Sequence, residues 1–130
     1  MTKREIKFRQ RVDNQFHYWG FINGKFISPV GSSSGENYTN TKSDQYTGLK
    51  DKNGKEIWEG DILQIKDVCV DYDDFDNEIL RDKKMVVEFI DGGFVALMKS
   101  NYLFELSRTR LERFETEVIG NIYENKELLK

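Results

Sequence analysis

The chain has very little of the chemistry on which catalytic and metal sites usually depend. Its 130 residues include one histidine, one cysteine and one proline. One cysteine cannot form a disulfide within the chain, and it cannot build a Cys-x-x-Cys or His-rich metal site together with one histidine. His17 lies in the aromatic run 16–21 and is interpreted as a strand residue. Cys69 lies between two valines and is interpreted as a small buried hydrophobe.

Long apolar runs and phosphate-binding loops are missing as well. No stretch approaches ~18 consecutive apolar residues, and neither Gly-x-Gly-x-x-Gly nor Gly-x-x-x-x-Gly-Lys occurs. The acidic run 71–78 fails as an EF-hand loop, because its sixth residue is not glycine whether the loop starts at Asp71 or Asp74. We therefore expect no enzymatic activity, no catalytic residue, no cofactor, no metal and no membrane span. The charged first residues lack an apolar h-region, which predicts a cytoplasmic protein.

Charge is distributed unevenly along the chain. The net charge is -3, so the protein has no global basic field to hold nucleic acid. Residues 1–30 are nevertheless basic, with six Lys or Arg against two acidic residues, whereas 71–78 carry five acidic residues. The basic segment is open to two interpretations. It contacts phosphates, or it is a solvated or self-complementary face that meets the acidic run within an oligomer.

Alternation of polar and apolar residues predicts a mainly β chain of seven to nine short strands. Segments 16–22 and 25–28 flank Asn23-Gly24, a pair that suits a two-residue type I′ hairpin turn because both central residues need positive φ. Asp91-Gly92-Gly93 predicts a second hairpin. Helical turns are expected at 108–115 and after Asn125, which is a good N-cap.

Composition divides the chain into three parts. Residues 1–30 are predicted to form an N-terminal β arm that contains the first hairpin. Residues 31–44 are small and polar with almost no aliphatic side chains, which predicts a flexible loop. Residues 45–130 are predicted to form the main body, which ends in the short helical turn.

The start of the predicted body carries aromatic residues and carboxylates close together. Gly60-Asp61 opens a strand after a turn, a pattern that recurs in small SH3-like barrels. Glu59 and Asp61 are interpreted as turn-capping carboxylates, and Tyr46 and Trp58 as core or barrel-mouth aromatics. The alternative is that these residues form a binding surface at the barrel rim.

Three blocks of the sequence together resemble one family. They are its opening (residues 4–14), its central signature (residues 45–62) and its ending (residues 117–125). The chain resembles the YopX-like proteins, which are encoded by bacteriophages and prophages of low-GC Gram-positive bacteria. The resemblance spans almost the whole chain, and the eighteen-residue central block makes it specific.

The resemblance implies a fold and a provenance. It implies a small SH3-type β-barrel core, homo-oligomers with a trimer-based assembly as one form, and a location in the cytoplasm of the bacterial host. The biochemical role of the family is unassigned, so the resemblance transfers no catalytic residue.

Two functions remain in competition. The first is a non-enzymatic phage accessory protein that self-assembles and binds a host or phage protein, because the first hairpin carries more large apolar side chains than one small core needs. The alternative is nucleic-acid binding through the barrel and the basic N-terminal segment. The candidate binding or interface residues are Phe16, Tyr18, Trp19, Phe21, Phe26, Tyr46, Trp58, Glu59 and Asp61.

Overall fold

The computed structural model describes residues 5–30, 42–65, 68–69, 79–80, 83–98 and 103–129. Most of the predicted loop 31–44 and all of the acidic run 71–78 lie outside these residues. The strands are β1 (Lys7–Val12), β2 (Gln15–Ile22), β3 (Lys25–Ile27), β4 (Ser43–Lys50), β5 (Glu56–Trp58), β6 (Asp61–Ile65), β7 (Val68–Cys69), β8 (Ile79–Leu80), β9 (Lys83–Ile90), β10 (Gly93–Met98), β11 (Leu103–Glu105) and β12 (Glu117–Asn121). One helix, α1 (Arg108–Arg113), and a 3₁₀ turn (Lys126–Leu129) complete the described elements.

The strands form two five-stranded antiparallel sheets and a small two-stranded ladder. The sheet orders are β3-β2-β1-β4-β5 and β11-β10-β9-β6-β12, and the ladder pairs β7 with β8. The prediction of a mainly β chain is confirmed. Neither sheet closes on itself in this strand order, so the SH3-type barrel is not confirmed. The described strands outnumber the seven to nine predicted, because strands of two or three residues are too short to show alternation.

The chain divides into two compact units, residues 1–48 and 49–130. In the N-terminal unit, β1, β2 and β3 form a meander, and β4 pairs with the other edge of β1. The turn between β2 and β3 is Asn23-Gly24, with φ of 52° and 78°, so the predicted hairpin is confirmed. Asp13-Asn14 makes a similar left-handed turn between β1 and β2. β4 begins two residues before the predicted start of the body.

The C-terminal unit holds the main apolar core. Alternate residues of β6, β9 and β10 point inward and meet side chains of α1 and β12. The core residues are Ile57, Leu63, Ile65, Met85, Val87, Ala96, Met98, Phe104, Leu111, Phe114 and Val118. Each fully buried aliphatic or aromatic side chain contributes about 1.5–3 kcal/mol, so this cluster is the main source of stability in the unit.

Both predicted helical segments are present. α1 begins after Ser107, whose Oγ accepts a hydrogen bond from the backbone N–H of Arg110 at 3.2 Å and so caps the helix. Leu111 is the buried residue of α1 and anchors it on the core. The 3₁₀ turn follows Asn125, as predicted.

Candidate protein-interaction surface

The meander of the N-terminal unit presents two chemically different faces, because successive strand residues point to opposite sides. Strand register places Phe8 opposite Trp19 and Phe21 opposite Phe26 on one side, which we call the aromatic face. The other side carries Lys7, Arg9 and Arg11 of β1 opposite Gly20, Tyr18 and Phe16 of β2, and we call it the cationic face.

The aromatic face is ordered by stacking at its centre. The rings of Phe8 and Trp19 stack with centroids 4.4 Å apart and an interplanar angle of 20°. Trp19 Nε1 donates a hydrogen bond to Ser43 Oγ at 3.0 Å, which satisfies the indole N–H of a half-buried ring. Contacts with Phe8 and Ser43 of the same sheet therefore fix the position of Trp19, which acts as a structural residue.

The same face becomes exposed toward the hairpin end. Residues 21–26, here called the N-terminal tip, hold Phe21 and Phe26 directly opposite each other, with ring centroids 5.4 Å apart. These side chains are 59% and 60% exposed. A cross-strand aromatic pair stabilises a hairpin by about 0.2–1 kcal/mol, yet more than half of each ring still contacts water. The N-terminal tip therefore keeps a solvent-exposed aromatic surface.

The cationic face is largely engaged within the unit. Arg9 lies over the ring of Phe16 at 4.3 Å and pairs with Asp44 at 3.7 Å. Lys7 lies over the ring of Tyr46 at 4.8 Å, and its ammonium group is 2.8 Å from a carboxylate oxygen of Glu5. Lys7 and Arg9 are only 9% and 5% exposed. Two of the basic residues that motivated the nucleic-acid alternative are therefore buried against rings and carboxylates.

Two further candidate residues, Phe16 and Tyr18, lie on the cationic face and differ in exposure. Phe16 is half-buried because Arg9 and Arg11 both lie over its ring. Tyr18 is on the same face, 6.3 Å from Phe16 between ring centroids, and is 43% exposed. Of these two candidates, Tyr18 alone offers substantial surface to a partner.

Three of the four candidates around the central signature are buried. Tyr46, Trp58 and Asp61 are buried, and Glu59 is half-buried. Asp61 Oδ2 accepts a hydrogen bond from the backbone N–H of Trp58 at 2.8 Å, so Asp61 caps the turn as interpreted. Tyr46, Trp58 and Asp61 are therefore structural residues.

The sequence analysis missed a second structural carboxylate, Asp51. Its Oδ1 accepts hydrogen bonds from the backbone N–H groups of Asn53 and Lys55, at 2.9 and 2.8 Å. Its Oδ2 accepts one from the backbone N–H of Val118 at 2.9 Å. One buried carboxylate thus closes a tight turn and ties it to β12. The position of Asp51 directly before the turn-forming run Lys52-Asn53-Gly54 was the sequence signal for its hydrogen bonds to the turn.

The ending block contains a similar network of side-chain to backbone hydrogen bonds. Asn121 Oδ1 accepts hydrogen bonds from the backbone N–H groups of Tyr123 and Glu124, at 3.0 and 2.9 Å. Asn125 Oδ1 accepts one from the backbone N–H of Asn121 at 3.2 Å. A Cβ atom at Gly120 would lie 2.6 Å from Asn125 Oδ1, so the asparagine fits only because position 120 has no side chain.

A second aromatic pair, with one ring exposed and the other half-buried, lies in the C-terminal unit, and the sequence analysis missed it. Residues 89–94, here called the C-terminal tip, close the predicted second hairpin with the turn Asp91-Gly92, whose φ values are 51° and 80°. Phe89 and Phe94 are opposite each other with ring centroids 5.1 Å apart, and Phe89 is 51% exposed. The two tips read FINGKF and FIDGGF. The similarity of these two hexapeptides, which share four of six residues, was the signal in the sequence for this second pair.

The residues that bear on catalysis and metal binding add no site to this surface. His17 Nε2 lies 3.0 Å from the carbonyl oxygen of Ser28, and the side chain of Cys69 lies outside the described part of the chain. Within the described ranges, no group of three or more His, Cys, Asp or Glu residues is placed to hold a metal ion. The described part of the chain also contains no helix that is long and apolar enough to span a membrane.

Comparison with known proteins agrees with the resemblance seen in the sequence. A family model described as YopX protein matches residues 11–130, which include the central and ending blocks. The crystal structure of protein EF1440 from Enterococcus faecalis is similar, with a TM-score of 0.58 and 26% sequence identity over 98% of this chain and 100% of that chain. A comparison with curated proteins gives no match. Because the family model covers nearly the whole sequence, the chain belongs to the YopX family.

Proposed function

We propose that the protein is a phage- or prophage-encoded accessory protein of the bacterial cytoplasm that self-associates and binds other proteins. The observation that carries this proposal is the N-terminal tip, where Phe21 and Phe26 expose more than half of their surface beside a firmly packed sheet. Exposed large aromatic side chains at the end of an ordered element are typical of protein interfaces. The proposal includes an SH3-type barrel as the core of the C-terminal unit.

The nucleic-acid alternative has less support. Binding to a phosphate backbone needs Lys and Arg side chains that reach solvent, whereas Lys7 and Arg9 are buried and paired. The net charge of -3 also opposes non-specific binding. Tyr18 and the N-terminal tip could stack on unpaired bases, but Lys25 is the one exposed cation of that tip, and Lys7 and Arg9 are buried.

We propose no enzymatic activity, and the state of two buried carboxylates supports this. Asp51 and Asp61 are buried and accept hydrogen bonds from backbone N–H groups. A general acid or base must reach a substrate proton, and these two carboxylates face the turns that they stabilise. Protein binding is therefore better supported than carboxylate chemistry.

The proposal is tested with a tagged protein and extract of the phage-infected host. Wild type, the double variant Phe21→Ser/Phe26→Ser and the control Leu103→Ser are used for recovery with and without nuclease. Leu103 is 49% exposed, so the control removes a comparable apolar side chain elsewhere. We expect a stoichiometric protein partner that survives nuclease and is lost only in the double variant. Nuclease-sensitive recovery, or equal recovery with all three proteins, would overturn the proposed binding surface.

A further inference from the structure

The two hairpin tips are built to the same plan. Both follow the pattern Phe-Ile-(Asn/Asp)-Gly-x-Phe, both turn through two residues with positive φ, and both place the phenylalanines directly across the ladder. A cross-strand pair in this position brings the two side chains close together. Each tip therefore presents a small aromatic patch at the end of a hairpin, with two exposed rings on the N-terminal tip and one exposed and one half-buried ring on the C-terminal tip.

The tips differ in charge. The N-terminal tip carries the exposed Lys25, where the C-terminal tip has Gly93. The C-terminal tip carries the exposed Asp91, where the N-terminal tip has Asn23. Two N-terminal tips would thus bring lysines together and two C-terminal tips would bring aspartates together, whereas one tip of each kind brings opposite charges together.

We infer that the N-terminal tip of one copy of the chain docks against the C-terminal tip of another copy. This inference rests on the self-association in the proposed function and assigns its surface. The contact joins unlike patches, so it is heterologous and generates closed rings or open chains of subunits. Aromatic contact supplies the attraction, and the Lys25–Asp91 pair selects unlike tips.

The area available sets the strength of one contact. A phenylalanine side chain buries about 150–250 Å² when fully covered, so the exposed parts of two such pairs bury roughly 400 Å². This is below the ~1,200 Å² of a stable interface. A single contact is therefore weak. A closed ring holds together because its last contact forms within one assembly at high effective concentration.

The deciding experiment exchanges the tip sequences. Asp91→Asn/Gly93→Lys gives the chain two cationic tips, and Asn23→Asp/Lys25→Gly gives it two anionic tips. Each replacement copies a residue that the other tip already accommodates, and a Cβ atom at Gly93 would meet nothing within 4 Å. Sedimentation velocity is recorded up to about 0.5 mM protein for wild type, each variant, their equimolar mixture and Leu103→Ser, with circular dichroism as the check on folding.

The inference predicts that each exchanged variant self-associates at least fivefold more weakly than wild type at low salt. The equimolar mixture returns to within about threefold of wild type, because every contact is again between unlike tips. Leu103→Ser behaves as wild type. Variants that associate as well as wild type, or a mixture without recovery, would overturn the tip contact and leave self-association standing. A wild-type protein that stays monomeric would overturn both, while partner capture is judged separately by the extract experiment.

Discussion

Replacing Asp51 removes a carboxylate that joins distant parts of the C-terminal unit. The side chain is 7% exposed, and it accepts three backbone hydrogen bonds, two from the following turn and one from Val118 in β12. Hydrogen bonds to a charged group contribute about 1.5–3 kcal/mol each, and buried donors left without a partner carry their own penalty. The three bonds share one acceptor group and are not additive.

We therefore expect Asp51→Ala to lower the free energy of unfolding by about 4 kcal/mol. Asp51→Asn keeps one acceptor oxygen but turns an NH₂ group toward a donor, so we expect a loss of about 2 kcal/mol. A domain of this size has a total stability of about 5–15 kcal/mol. The alanine variant is thus expected to approach the limit of folding at 37 °C, and the asparagine variant to remain folded.

The assay is urea unfolding at 25 °C, followed by fluorescence of the two tryptophans. The matched control is Glu105→Ala, which removes an exposed carboxylate from β11 and should change stability by less than about 0.5 kcal/mol. If Asp51→Ala lost no more than Glu105→Ala, the carboxylate would not hold the turn to β12 and the reasoning would be refuted. An unchanged slope with urea would show that the surface exposed on unfolding is the same, so the shift in midpoint would measure a change in stability.

Three smaller changes test other parts of the packing. Thr116→Val should be neutral or stabilising by up to about 1 kcal/mol in the same urea assay, because the fully buried Thr116 Oγ1 has no hydrogen-bond partner among the described residues. Gly120→Ala should lower the free energy of unfolding by about 1–3 kcal/mol, measured by calorimetry, since the new Cβ displaces the Asn125 side chain. An unchanged melting temperature would contradict the close packing of Asn125 on Gly120. Ser43→Ala should cost about 1 kcal/mol and alter Trp19 fluorescence by removing the acceptor of its indole N–H.

Local signals in the sequence predicted the hairpins and the helical turns well. Asn23-Gly24 and Asp91-Gly92 set left-handed turns from their own conformational preferences. Ser107 and Asn125 precede helical turns for similarly local reasons. In each case the interacting residues are fewer than about five positions apart, so a short stretch of sequence is enough to predict the structure.

Interactions between segments that are distant in sequence could not be predicted from local signals. Nothing near Arg9 in the sequence indicates that Asp44 and the ring of Phe16 will bury its guanidinium group. The pairing of β12 with β6 and the reach of Asp51 to Val118 also depend on chain segments far apart in sequence. Burial therefore had to come from the structure, which places Tyr46 and Trp58 in the interior and not on the alternative binding surface.

The family signature and the proposed interaction surfaces occupy different parts of the sequence. In the central block, residues 45–62, Asp51 and Asp61 hydrogen-bond backbone groups and Trp58 is buried. In the ending block, Asn121 and Asn125 close the turn after β12. These five residues of the signature have structural roles, and family membership by itself assigns no partner. Both tips lie outside the three blocks, so the interaction surfaces proposed for this chain are separate from the residues that carry its family resemblance.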